Sequence, residues 1–501
     1  MNLNEPELLK KSKSGTFVKN ISSKLLYLLK NNEFVKNVAK TISGSLIVKF
    51  IGFVSIAILA RLYAPEDFGI LEFATSIQLI ATTIGSLKYD QAVIASKDEQ
   101  ASINLLSLSV VLLSLSTIII VAIIFITHQN IIAFESINEL ENFIYFIPVL
   151  IFVSGLKNNL NMWSFRKKRF GRSALAEIIN KLGELILKII LSGLGVLGLF
   201  LGTTLGFLAA LGILLYFMFK LDAKSFKNIS IKQMKVNFVR YKNFPLFLMP
   251  SHFFRIVSDR LPALLLNPFF GFDTVGFYAI SYKLFNEPMG ILGKSIGDVF
   301  FQEAAKRHAE HRDISNLAYQ VFEKLFILSF LPLLCLTISG KVLIVVFLGD
   351  AWDIAGSFTQ ILAPMMFFRL IANTTSTVFS VFEKQHLDMI FNALLLLCCV
   401  ASFLIGGFSN NVVLGLVLLS SSHSLIYLVN IIVIVFICKI SFKLLLKSLF
   451  IPFLFGLVAV AVFIFITTMI NNYIIQIIFC LVIALCYYLL LYLIKSLNRR
   501  K

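Results

Sequence analysis

The chain has 501 residues, of which 58% are hydrophobic and 14% are charged, whereas soluble globular proteins are about half apolar and a quarter charged. A water-soluble fold of this size cannot bury so much apolar surface, so the composition predicts a protein embedded in a bilayer. The net charge of +18 is also compatible with nucleic-acid binding. We exclude a nucleic-acid partner because the basic residues lie between the apolar runs, which is the pattern of membrane topology.

Apolar runs long enough to cross a bilayer recur along the whole chain, since a spanning helix needs about 20 mostly apolar residues. They predict an all-α, polytopic membrane protein with about 14 transmembrane helices. The predicted spans are residues 41–63, 68–88, 103–127, 142–163, 173–194, 196–219, 244–267, 273–298, 319–339, 356–382, 387–407, 411–438, 443–468 and 472–494.

The order of the spans predicts two pseudo-symmetric six-helix lobes and two further C-terminal helices. A short sequence echo between residues 64–74 and 267–281 supports related halves, and transporters built from repeated halves bind substrate between them. The predicted divisions are a basic, amphipathic cytoplasmic segment (1–40), the N-lobe (41–219), a cytoplasmic linker (220–243), the C-lobe (244–438), and spans 13 and 14 with a basic tail (439–501).

The distribution of Lys and Arg predicts the orientation in the membrane. If the N-terminus is cytoplasmic, the segments on the inner side carry 33 Lys and Arg residues, and the outer loops carry only Arg61 and Lys341. Cytoplasmic loops are enriched in these residues. We therefore predict a multi-pass membrane protein with both termini in the cytoplasm.

Enzyme and metal-binding motifs are absent from the sequence. The six cysteines lie inside apolar runs without a CxxC pair, so we interpret them as small buried hydrophobic residues. There is no Walker lysine loop, HExxH or GxSxG motif. We therefore expect no enzymatic activity, catalytic residue, bound metal or cofactor.

Ionisable residues inside the predicted spans are candidates for function. Each costs about 2.5–3.5 kcal/mol at mid-membrane, so such residues normally face protein or a water-filled cavity. In the seventh span, His252, Arg255 and Asp259 share one helix face because they are three and four residues apart, and Arg260 lies about 100° around the helix from Asp259.

The eighth span carries a single stripe of alternating charges. Lys283 and Lys294 each have a carboxylate four residues further on, Glu287 and Asp298 respectively, so the four side chains share one helix face. A similar stripe in the fifth span consists of Glu177, Lys181, Glu184 and Lys188.

Two interpretations of these charges stay open. They form salt bridges that hold helices together, or they line a cavity with surplus positive charge, in which an anionic substrate gains Coulomb energy. In the second case three carboxylates are candidates for charge compensation or for proton or sodium coupling. These are Glu72, Asp259 and Glu287.

Residues 43–77 (SGSLIVKFIGFVSIAILARLYAPEDFGILEFATSI) resemble the opening of the polysaccharide-biosynthesis flippases. This Wzx-like group belongs to the superfamily that includes multidrug MATE exporters and lipid II flippases. Residues 259–284 (DRLPALLLNPFFGFDTVGFYAISYKL) and 347–356 (FLGDAWDIAG) are similar to the second half of that family.

The resemblance implies a flippase of a bacterial inner membrane that moves undecaprenyl-pyrophosphate-linked oligosaccharide to the outer leaflet, for O-antigen, lipopolysaccharide, capsule or a similar glycan. Such proteins use two lobes and alternating access, often with H⁺ or Na⁺ coupling. The implied partners are the lipid-linked oligosaccharide, membrane lipids, a glycan polymerase and chain-length machinery. The pyrophosphate would be bound by five cations, Lys49, Arg255, Arg260, Lys283 and Arg369.

Two other functions stay open at this point. A MATE-type exporter of small molecules shares the fold, but an exporter of cationic drugs should have an acidic cavity, whereas a basic one is predicted here. A membrane glycan polymerase or ligase would resemble chains with a large periplasmic loop, whereas the outer loops predicted here are short.

Overall fold

The computed structural model describes residues 33–96, 98–132, 140–141, 143–469 and 473–498, and every regular element in these ranges is helical. The helices are α1 (Glu33–Leu59), α2 (Pro65–Gly85), α3 (Tyr89–Ala95), α4 (Glu99–Ile132), α5 (Phe146–Arg166), α6 (Phe170–Ile190), α7 (Val196–Asp222), α8 (Ile231–Arg240), α9 (Met249–Ala309), α10 (Ser315–Leu348), α11 (Asp353–Thr375), α12 (Thr377–Val381), α13 (Gln385–Phe408), α14 (Val412–Ile437), α15 (Phe442–Met469) and α16 (Tyr473–Asn498).

The all-α, polytopic class predicted from the sequence is confirmed. With α9 counted as two segments, the long helices of the described residues follow the order of the 14 predicted spans. By length and composition, nine helices in the described part of the chain are apolar enough to cross a membrane. α6, with its charged stripe, is not among them. Most of the predicted N-terminal segment 1–40 lies outside the described residues.

Spans seven and eight both lie in α9, which consists of two helices that meet directly at Gly271. The helix is broken only at Gly271, where φ is 78° and ψ is 172°, a conformation that is open essentially to glycine alone. Arg260 and Lys283, on opposite sides of Gly271, both contact the carboxylate of Glu72. A straight helix would separate them by about 34 Å, so the first arm (249–270) and the second arm (272–309) run back to back.

At the Gly271 end of the bundle, α2 and the second arm of α9 are in backbone contact. A β-carbon at Gly69 would collide with the carbonyl of Phe272, and one at Gly276 would collide with the carbonyl of Pro65. Only glycine allows helices to approach so closely. We call this the charge-poor end, meaning that it is poor in positive charge, because Arg61 and Lys341 are the only Lys and Arg residues of the predicted loops here. We call the opposite end the basic end.

Aromatic packing adds to the contact at the charge-poor end. Trp352, which follows α10, is fully buried, and its Nε1 donates a hydrogen bond to the carbonyl oxygen of Ala60 at 2.7 Å. The rings of Phe68 and Phe277 meet Trp352 edge-on, with centroids 5.3 and 6.1 Å away. The N-terminal helices α1–α7 and the C-terminal helices α9–α14 are therefore closed against each other at this end.

Candidate functional site

A buried carboxylate on α2 holds two cations of α9 in the middle of the bundle. Glu72 Oε1 lies 2.6 Å from Arg260 Nη1, and Glu72 Oε2 lies 2.6 Å from Lys283 Nζ. The Glu72 side chain is only 9% exposed, whereas those of Arg260 and Lys283 are 30% and 34% exposed. One carboxylate facing two cations leaves a net positive charge, which two partly exposed side chains present to the space between the helices.

A second pair connects α1 to the second arm of α9. Lys49 Nζ lies 3.9 Å from Glu287 Oε2, and both side chains are about a third exposed (29% and 32%). The ammonium group lies over the backbone of the arm, since a β-carbon at Gly290 would collide with it. At this distance the pair is a loose electrostatic contact rather than a short hydrogen bond.

A third pair lies within the C-terminal helices. Arg369 on α11 donates from Nη2 to Asp259 Oδ1 at 2.9 Å, and its guanidinium carbon lies 5.1 Å from the ring centroid of Tyr282. Tyr282 in turn stacks on Tyr278, with centroids 5.8 Å apart. A guanidinium held by a carboxylate on one side and an aromatic face on the other has a fixed orientation.

Arg255 differs from the other four predicted cations. Its side chain is exposed, and within the described residues it has no salt bridge to a carboxylate. Its Nη2 contacts His252 Nδ1 at 3.4 Å. Arg255 therefore lies outside the paired cluster, on the part of the first arm nearer the basic end.

The charges of the eighth span do not pair along their own helix in the described part of the chain. Lys283 pairs with Glu72 rather than with Glu287, and Lys294 forms no salt bridge with Asp298 in the described part of the chain. Neighbouring pairs on an exposed helix contribute only about 0.3–0.5 kcal/mol. A partner on a packed neighbouring helix, with a short and partly desolvated contact, therefore outcompetes the partner four residues away.

The stripe of the fifth span is different, because it does pair along its own helix. Glu184 lies 2.9 Å from Lys181 and 2.6 Å from Lys188. Glu177 contacts a neighbouring helix, accepting from Lys157 on α5 at 2.7 Å. These pairs lie among the N-terminal helices and join no part of α9 directly.

Sequence reasoning missed Tyr282 and Asn286. Tyr282 packs against Arg369, and Asn286 lines a cavity that Arg369 also lines. Both could have been identified from the sequence because Tyr282 directly precedes Lys283 and Asn286 directly precedes Glu287. Among the described residues, no three His, Cys, Asp or Glu side chains are grouped so that they could hold a metal ion.

A family profile described as "Polysaccharide biosynthesis protein" matches residues 58–356. No curated protein sequence is significantly similar to the chain. Among solved structures, the fold is similar to the lipid II flippase MurJ in an inward closed conformation, with a TM-score of 0.70 and 14% identity over 91% of this chain and 99% of that one.

Two transporters of the MOP superfamily also share the fold. An inward-facing multidrug resistance MATE family transporter matches with a TM-score of 0.60 and 14% identity, over 79% of this chain and 96% of that one. A transporter from Pyrococcus furiosus, described as having a binding pocket of reverse polarity, matches with a TM-score of 0.53 and 14% identity, over 81% and 96% of the two chains. At such identities the likeness concerns the fold.

Proposed function

We propose that this chain, which belongs to the polysaccharide biosynthesis protein family, is a flippase that moves an undecaprenyl-pyrophosphate-linked oligosaccharide across a bacterial inner membrane. One observation carries the proposal. In the cluster formed by α1, α2, α9 and α11, four cations (Lys49, Arg260, Lys283 and Arg369) are paired with only three carboxylates, and three of these cations are about a third exposed. An anionic group gains Coulomb energy in such a low-dielectric site.

The geometry suggests an exchange of partners on substrate binding. A pyrophosphate that enters the cavity competes with Glu72 for Arg260 and Lys283, whose side chains are reachable. Arginine suits this role because its planar guanidinium binds phosphate oxygens in pairs. Without substrate, Glu72, Asp259 and Glu287 compensate the cations, which would otherwise be costly to bury.

Exchange at Glu72 couples binding to movement of the helices. The Glu72 pairs connect α2 to α9, and the Lys49–Glu287 pair connects α1 to α9. A ligand that binds these cations therefore weakens the contact between the two halves. Proton or sodium coupling, if it operates, would act on the same carboxylates. Opening the charge-poor end then requires the Gly69 and Gly276 contacts to separate, which is the change that alternating access needs.

We propose that the basic end faces the cytoplasm, together with both termini. Labelling of single cysteines in a cysteine-free background tests this orientation. An impermeant thiol reagent added outside spheroplasts should modify a cysteine at position 270, near the Gly271 break, and not one at position 230. Modification of position 230 alone would reverse the orientation.

Flipping assays in proteoliposomes test the function. Wild-type protein should move an undecaprenyl-pyrophosphate-linked oligosaccharide between leaflets, and the double variant Arg260→Ala/Lys283→Ala should reduce the rate at least tenfold. Arg312→Ala is the matched control, because this side chain is 71% exposed and pairs only with Glu310 among the described residues. Flipping by the double variant at the control rate would contradict the proposed site.

The MATE-type exporter is the second candidate, favoured by the fold shared with a MATE transporter. The same proteoliposomes discriminate it, since a drug exporter should extrude a lipophilic cation and leave the lipid-linked glycan where it is. In cells, deletion of the gene should deplete surface glycan such as O-antigen or capsule and accumulate its precursor on the inner leaflet. An unchanged surface glycan would contradict the flippase, and a membrane polymerase or ligase would instead leave unpolymerised glycan outside.

A further inference from the structure

A cavity of about 260 Å³ lies between the second arm of α9 and the helices α11 and α12. It adjoins the charge cluster, because Arg369 lines both and because Gly290, which lies under the ammonium of Lys49, forms part of its wall. Gly293 and Gly297 continue that wall. Thr374 lies against both Gly293 and Gly297, so these two glycines let α11 pack closely along the wall of the cavity.

The polar side chains of this cavity are available for a ligand. Asn286, Lys294, Asp298 and Asn373 are all exposed, and within the described residues none of their side chains has a hydrogen bond or salt bridge. Thr377 Oγ1 is buried and has no hydrogen-bond partner in the described part of the chain. Buried polar atoms normally find partners, so this hydroxyl marks a place where a ligand group or water is needed.

The charge of the cavity differs from that of the neighbouring cluster. Lys294 and Asp298 balance each other, and Arg369, which also lines the cavity, is balanced by Asp259. The side-chain amides of Asn286 and Asn373 each offer donors and an acceptor. Met289, Met366 and Leu370 supply an apolar part of the wall. A site with balanced charge, mixed donors and acceptors and an apolar side suits a neutral, hydroxyl-rich group, whereas a phosphate would face an unpaired carboxylate there.

The size of the cavity supports a ring-sized ligand. It is smaller than the roughly 300–1,000 Å³ of pockets that hold drug-sized molecules. We infer that this cavity binds the sugar attached directly to the pyrophosphate, while the pyrophosphate itself lies on Arg260 and Lys283. This inference rests on the proposed function. It assigns Asn286 and Asn373 as sugar-binding residues, and it separates recognition of the glycan from recognition of the phosphates.

Binding measurements in nanodiscs with two probes test the inference. The first probe is undecaprenyl pyrophosphate without sugar, and the second is the same lipid carrying a single N-acetylhexosamine or hexose. Asn286→Ala/Asn373→Ala should weaken binding of the sugar-bearing lipid at least tenfold and leave binding of the bare lipid within twofold of wild type. Asn373→Trp, which fills the cavity from an exposed position, should do the same.

Controls make each outcome decisive. Asn316→Ala, an exposed asparagine at the start of α10, should change neither affinity. Equal losses for both lipids, or no loss for either in the double and filled variants, would overturn the sugar site. If wild-type protein binds neither probe, the proposed flippase function is contradicted, and the sugar site with it. If wild-type protein binds both probes equally, only the sugar site is contradicted and the proposed flippase function still holds.

Discussion

Two regions of this molecule use the same device, one carboxylate between two cations, in different surroundings. On α6, Glu184 holds Lys181 and Lys188, whose side chains are 38% and 6% exposed, so only the Glu184–Lys188 pair is shielded from water. Between α2 and α9, Glu72 holds Arg260 and Lys283, both about a third exposed. The first set lies among packed N-terminal helices, and the second borders the space between the two halves. An ion pair that water cannot reach stabilises the fold, whereas an accessible one can exchange a partner for a ligand.

The largest expected effect is on the buried pair of Glu184 and Lys188. Glu184→Ala leaves Lys188 buried without its carboxylate, and breaking such a pair costs about 3–5 kcal/mol. Thermal unfolding in detergent should therefore show a clear loss of stability and yield. Glu310→Ala, which removes the partner of the exposed Arg312, is the control. Unfolding of the Glu184 variant at the control temperature would mean that the two regions do not differ in this way.

The accessible set should respond in binding rather than in stability. Glu72→Gln removes the competitor for Arg260 and Lys283, so we expect the protein to stay folded and to bind undecaprenyl pyrophosphate about tenfold more tightly, which corresponds to about 1.4 kcal/mol. Glu287→Gln should have a smaller effect because its contact with Lys49 is longer, at 3.9 Å. Weaker binding by Glu72→Gln would show that the carboxylate positions the cations instead of competing for them.

Packing at the charge-poor end offers a third test, with an intermediate effect. Gly69→Val places a side chain against the carbonyl of Phe272, so the halves should separate and a cysteine introduced at position 272 should react with thiol reagents several-fold faster. Gly212→Val is the matched control, since a β-carbon at Gly212 meets no atom within 4 Å. Equal reactivity in the two variants would show that the glycine contact does not hold this end closed.

The smallest effect is expected at the rim of the same end. Arg61 donates to the carbonyl oxygens of Phe347 and Val346 at 3.2 and 3.1 Å, and its side chain is exposed. Hydrogen bonds of this kind contribute about 0.5–1.5 kcal/mol each, with exposed ones at the low end. Arg61→Ala should therefore raise the reactivity of the position-272 cysteine by no more than a few-fold. A change as large as that of Gly69→Val would move the main closing contact to the rim.

Much of the fold was predictable because it depends on local properties of the chain. Apolar length predicted the helices and their order, including the separation of spans seven and eight, which the structure narrows to a single residue, Gly271. The candidate site was less predictable. All five predicted cations and all three carboxylates are present in the described residues, but spacing along one helix did not indicate that Arg260 and Lys283 share Glu72.

The sequence by itself determined that the protein is helical and membrane-embedded and that its spans carry cations, because hydropathy and charge act residue by residue along the chain. Only the tertiary structure decided which charges meet. Glu72 and Lys283 are far apart in sequence and come within 2.6 Å because α2 and the second arm of α9 pack through glycines. Which ion pairs form depends on distance and desolvation between packed helices, and neither quantity can be predicted from a local stretch of sequence.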